Sequence, residues 1–119
     1  METESILKTI RKMIGLPVDC SDFDTDLIIH INSAFSTLKD LGAGPSEGYK
    51  ISGEDNTWSE FIGDNIDLEK VKNYVYLKTR LIFDPPQSSS VLDAYKQEIK
   101  ELEWRINVAV DTEESQNGK

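Results

Sequence analysis

Apolar residues recur along this chain at three- and four-residue steps, in blocks separated by glycine and proline, which is the pattern of helices with one buried face. Ile6, Leu7, Ile10, Met13 and Ile14 predict a first helix over residues 4–14. Gly15 and Pro17 end it, the glycine by accepting a left-handed backbone and the proline by being unable to continue a helix. Leu27, Ile28, Ile31, Ala34, Phe35 and Leu38 predict a second over residues 24–41, with Gly42 as its stop. Asp22, Asp24 and Asp26 stand at its start, where carboxylates can accept orphan N–H groups and oppose the positive end of the helix dipole.

Residues 42–56, GAGPSEGYKISGEDN, hold four of the seven glycines. Tyr49 and Ile51 alternate with polar neighbours, a pattern that admits a short extended stretch or a small hairpin. A polar, glycine-rich connection of this length is expected to be mobile in the free chain and ordered by a neighbour. Thr57-Trp58-Ser59-Glu60 has the spacing of a capping box and predicts a short helix to about residue 62.

Asp67 is the expected cap of a third long helix, over residues 68–83, which stops before Asp84-Pro85-Pro86. Leu68, Val71, Val75 and Ile82 mark one side of it, and Tyr76 and Phe83 point elsewhere. A helix apolar on more than one side packs against several neighbours. Ser90 with Asp93 is the expected cap of a last helix over residues 91–110. Its seam, Leu92, Tyr95, Ile99, Leu102, Ile106 and Ala109, suits antiparallel packing or a partner helix. After Val110 no large apolar residue follows, so 1–110 is expected to be the folded domain and 111–119 a disordered acidic tail. The fold class is all-α, a small bundle of four to five helices with one glycine-rich loop.

Composition narrows the function. The chain has 119 residues, 38% hydrophobic and 29% charged, which is one globular domain. Thirteen Lys and Arg against 22 Asp and Glu give a net charge of −9, which argues against a general nucleic-acid binder and against attraction to anionic lipid. One cysteine makes neither an intramolecular disulfide nor a thiolate zinc site. No apolar run approaches the ~20 residues of a membrane span, and the acidic start does not resemble a signal peptide. These features describe a soluble, cytosol-type domain.

No chemical constellation emerges. Asp22-Phe23-Asp24-Thr25-Asp26 begins like a calcium loop, but Leu27 occupies the sixth position, where glycine is needed, and Ser33 the twelfth, where a bidentate glutamate is needed. Helix capping accounts for these aspartates. His30, the single histidine, lies off the apolar stripe, ten residues after Cys20, with no nucleophile signature around either. The glycines of 42–48 fit neither phosphate-binding spacing. No catalytic, cofactor-binding or metal residues are assigned, and the chain is not expected to be an enzyme.

Several stretches, in order, resemble a known family. They are Ile28-Ile29-His30-Ile31-Asn32-Ser33-Ala34-Phe35, Leu41-Gly42-Ala43-Gly44-Pro45, and Trp58-Ser59-Glu60-Phe61. Further on come the run from Val71 to Pro86 and Glu101-Leu102-Glu103-Trp104-Arg105-Ile106-Asn107. Together they resemble the head–tail connector (adaptor, or head-completion) proteins of long-tailed bacteriophages and prophages, over nearly the whole chain to about Val110. The resemblance implies a helical virion assembly protein that forms a ring, dodecameric in the mature particle. Such a ring sits under the portal protein, extends the DNA channel and presents a surface to the next stopper or tail connector. Packaged DNA would pass through without specific binding, and an acidic lumen holds no phosphates. The implied location is the virion head–tail interface, with the host cytoplasm during assembly, no membrane and no cofactor.

The alternative is a small acidic regulatory protein, such as a DNA-mimic inhibitor. That reading asks for a surface dominated by carboxylates, whereas Lys8, Arg11, Lys12, Lys70, Lys72, Lys78, Arg80, Lys96, Lys100 and Arg105 interrupt them here. One candidate contact stands out on the last helix. Trp104 and Val108, one turn apart, lie ~160° from the centre of its seam. Trp104 either covers local surface or packs against another segment of the same chain, or the two residues form a second contact face toward the portal or an adjacent subunit.

Overall fold

The computed structural model describes residues 4–17, 19–45, 47–62 and 68–117. Five helices occur among them: α1 (Ile6–Ile14), α2 (Asp24–Asp40), α3 (Trp58–Ile62), α4 (Leu68–Phe83) and α5 (Ser89–Asn117). The expected all-α architecture is therefore present. The small hairpin that the pattern of Tyr49 and Ile51 admits is not formed among the described residues, where the sole β pairing is an isolated antiparallel bridge between Ser5 and Thr57.

Local chemistry explains most boundaries. Ser5 caps α1 by accepting a hydrogen bond from the Lys8 N–H at 3.2 Å. Gly15 ends it at φ 103°, donating its N–H to the carbonyls of Arg11 and Lys12, the left-handed stop that glycine adopts without a Cβ penalty. Gly42 follows α2 at φ 90°. At the start of α5 the cap is Ser88 rather than Ser90: its Oγ accepts from the Val91 N–H and its carbonyl from the Leu92 N–H. The helix thus begins two residues before the expected Val91. It also runs on to Asn117, past the Val110 where the apolar seam ends. The side chains of the expected tail, and residues 118 and 119, lie outside the described residues, as does the Asp67 cap.

α4 is the central element. It packs on α1, α2 and α5, as a helix with more than one apolar side must. Val71, Tyr74, Val75 and Leu77 are buried along it. Ile82 departs from the expectation: it is in line with Val71 and Val75 but sits on the last turn, uncovered and 61% exposed. Phe23 meets Phe83 edge-on at 5.3 Å, so α2 and α4 run antiparallel. Tyr74 donates to Glu103 at 2.8 Å, and Arg80 donates to the hydroxyls of Tyr76 and Tyr95, which sets α5 antiparallel to α4. The seam residues Ile99, Leu102 and Ile106 complete the core. Thr79, also buried in α4, has a hydroxyl without a hydrogen-bond partner among the described residues.

The glycine-rich loop is held at several points among the described residues. The Asn32 side chain accepts from the Ile51 N–H at 2.7 Å and donates to the Ile51 carbonyl at 3.0 Å, acting as a one-residue strand partner. Asn56 Oδ1 accepts from the Ser52 N–H. Tyr49 donates to Glu60 at 2.8 Å and packs edge-on against Phe35. Gly44, at φ 84°, lies so close to the Phe61 ring that a Cβ there would fall within 3.0 Å of Cδ1 and nearer still to Cζ. Ala43 and Ile51 are buried. The start of α1 joins the same assembly: the Ile6 N–H donates to the Asn56 carbonyl, the Trp58 N–H to the Glu4 carbonyl, and the Trp58 indole to Thr9 Oγ1 at 3.1 Å.

Candidate interaction surface

The residues singled out for chemistry are dispersed. Cys20 is a free, half-buried thiol. His30 is half-buried on α2, with no hydrogen bond or ion pair to Cys20 among the described residues. No group of three or more His, Cys, Asp or Glu side chains is arranged to hold a metal ion among the described residues. None of the helices is long and apolar enough to cross a membrane, again among the described residues.

Asp24 and Asp26 stand in the first turn of α2, as expected from its dipole, but no side chain caps the helix. Its N-cap is Phe23, and the Asp24 carboxylate turns to Arg11 instead. Arg11 Nε and Nη2 donate to Asp24 Oδ1 and Oδ2 at 3.1 and 2.6 Å, and Nη1 pairs with Glu54 at 2.7 Å. The guanidinium is wholly buried while both carboxylates keep some contact with water. Hydrogen bonding from Asp24 foremost, then from Glu54, holds it charged against the desolvation of burial. One side chain thereby ties α1, the start of α2 and the loop together, with the bidentate geometry for which arginine is suited. Arg11 had been counted among surface cations. The signal that could have found it is its place four residues after Leu7, on the flank of the apolar stripe of α1.

Two further ionisable contacts stitch the periphery. Lys72 pairs with Glu4 at 2.8 Å, and that bond holds the Glu4 carboxyl below its usual range. Glu60 accepts from the Tyr49 hydroxyl and from the Thr57 N–H, and these bonds, the tyrosine's first, likewise lower its pKa. The second completes one arm of the expected capping box; Thr57 Oγ1 turns to Ser59 Oγ at 3.2 Å.

Several large apolar side chains also face outward. Trp104 is 67% exposed and Val108 39%, both on the side of α5 away from its seam. Lys96 and Lys100 continue the same column and are exposed. On α2, Ile29 is 59% exposed, a position that sequence patterning had assigned no role. Exposed apolar side chains of this kind make the outer sides of α5 and α2 candidate contact surfaces.

No curated protein and no solved structure matches the chain. The profile of a family described as phage connector protein matches residues 6–113, so the match takes in all of α1 to α4 and most of α5. With that match over most of the chain and a five-helix, all-α fold among the described residues, the chain belongs to the phage connector protein family.

Proposed function

We propose that this protein forms a ring under the portal of a long-tailed phage, dodecameric in the mature particle, which extends the DNA channel and joins head to tail. Its partners in this reading are the portal protein, neighbouring copies of itself and the downstream stopper or tail connector. Packaged DNA passes without specific binding, and no catalytic step is involved. The protein works at the virion head–tail interface after assembly in the host cytoplasm. The observation that carries the reading is the family match over residues 6–113. It is supported by the exposed Trp104 and Val108, since tryptophan is enriched among interface anchors. A net charge of −9 is compatible with a conduit through which DNA slides.

Negative-stain microscopy of the full chain mixed with portal protein tests this. The expected result is an added ring of density on one end of the portal. Portal particles unchanged by an excess of the chain would overturn the proposal.

A further inference from the structure

Trp104 and Ile29 are, with Ile82, the most exposed large apolar side chains among the described residues. Each lies in a column of exposed residues with its own charge. On α5, Lys96, Lys100, Trp104 and Val108 succeed one another at four-residue steps and are all exposed, forming one outward strip. Neither lysine has an ion pair or hydrogen bond among the described residues. On α2, Asp26, Ile29, Ser33, Ser36 and Asp40 follow steps of three and four, all exposed and opposite the buried stripe of Leu27, Ile31 and Leu38. Asp26 and Asp40 also lack ion pairs among the described residues. At 1.5 Å rise per residue both columns are about 20 Å long.

The two columns complement each other. One is cationic with a large aromatic, the other anionic with one aliphatic group and two small serines that leave room for a ring. We propose that they are the two halves of one contact between copies of this chain. The α5 column of one copy seats on the α2 column of its neighbour, with the lysines among the aspartates and Trp104 against Ile29. The proposal rests on the ring reading above and names the surfaces that would build the ring. Opposite charge at the rim selects partner and register, while the apolar centre supplies the attraction. A net charge of −9 on every copy opposes the same association, so the contact forms where copies are concentrated, as on a portal.

A water-soluble carbodiimide joins a lysine amine to a carboxylate only where the two touch. The full chain, as an equal mixture of ordinary and isotope-labelled copies, is cross-linked at high concentration and on portal, and linked peptides are read by mass spectrometry. Mixed-isotope links from Lys96 or Lys100 to Asp26 or Asp40 are expected. The paired variants K96E/K100E and D26K/D40K should each lose these contacts and fail to self-associate, and mixing the two should restore association. Links between copies through other residues, no mixed-isotope links at all, or a mixture that stays apart would each overturn the proposal. A portal-bound ring linked elsewhere removes this contact but leaves the connector reading standing; no ring and no portal binding removes both.

Discussion

Trp104 and Ile99 lie five residues apart on α5 and belong to different energetic worlds. Ile99 is in the core and Trp104 is mostly in solvent. Ile99→Ala should lower monomer stability by ~2–5 kcal/mol, as core truncations do. Trp104→Ala should leave the melting temperature of the monomer nearly unchanged and weaken binding to portal or to a neighbouring copy by ~2 kcal/mol or more. Denaturant unfolding and a binding titration on the same two variants check both halves. If Trp104→Ala unfolds the monomer as severely as Ile99→Ala, the second face is not there. Thr79 makes a third case. A buried hydroxyl without a partner costs ~1–3 kcal/mol, so Thr79→Val, nearly equal in volume, should raise the denaturation midpoint. A lowered midpoint would mean that the hydroxyl has a partner after all. None of these fates is written in residue type alone. The outward setting of Trp104 followed from its angle to the seam, whereas the exposure of Ile82 depended on where neighbouring helices stop.

Helices, by contrast, could be read at their ends. Gly15, Gly42 and the Asp84-Pro85-Pro86 stop act through backbone geometry within a few residues, and those boundaries fall where expected. Capping by Asp24 did not, because Arg11, thirteen residues away, competes for its carboxylate. The Asn32–Ile51 pairing was equally hidden, being a long-range match between a helix side chain and a loop backbone. The junction of loop and α3 carries a pH dependence. Glu60 has a lowered folded pKa, so its contribution is complete above the ordinary glutamate value of ~4.3 and fades as pH falls through the lower folded value. Glu60→Gln removes that titration. The difference in melting temperature between parent and variant should therefore be largest near neutrality and shrink below about pH 4. A difference that is constant from neutral to acid would show that Glu60 does not hold the junction through its charge.

At the scale of the whole molecule, a closed core and a net charge of −9 act together. The core lets one chain fold without a partner, and like charge keeps copies apart in dilute solution. Light scattering at micromolar concentration should give a mass near the 13.5 kDa of one chain, or a weak, concentration-dependent oligomer. A tight closed ring at that concentration would contradict this. Fold class and helix order were legible because glycine, proline and apolar spacing act locally. The outward faces were only half legible: Trp104 and Val108 stood out against a clean seam, whereas Ile29 merged into the apolar run Leu27-Ile28-Ile29.

The placement of the two tryptophans has a practical consequence for spectroscopy. Trp58 is sealed in the interior with its indole N–H bound to Thr9, whereas Trp104 stands in water. Fluorescence from the native chain should therefore contain a blue component that acrylamide or iodide barely touches and a red one that either extinguishes. Trp104→Phe isolates an emitter that changes colour only when the core opens. Trp58→Phe leaves one whose colour and quenching report whether the outer side of α5 has been covered. A single cuvette could then separate the unfolding of the subunit from its incorporation into a larger particle.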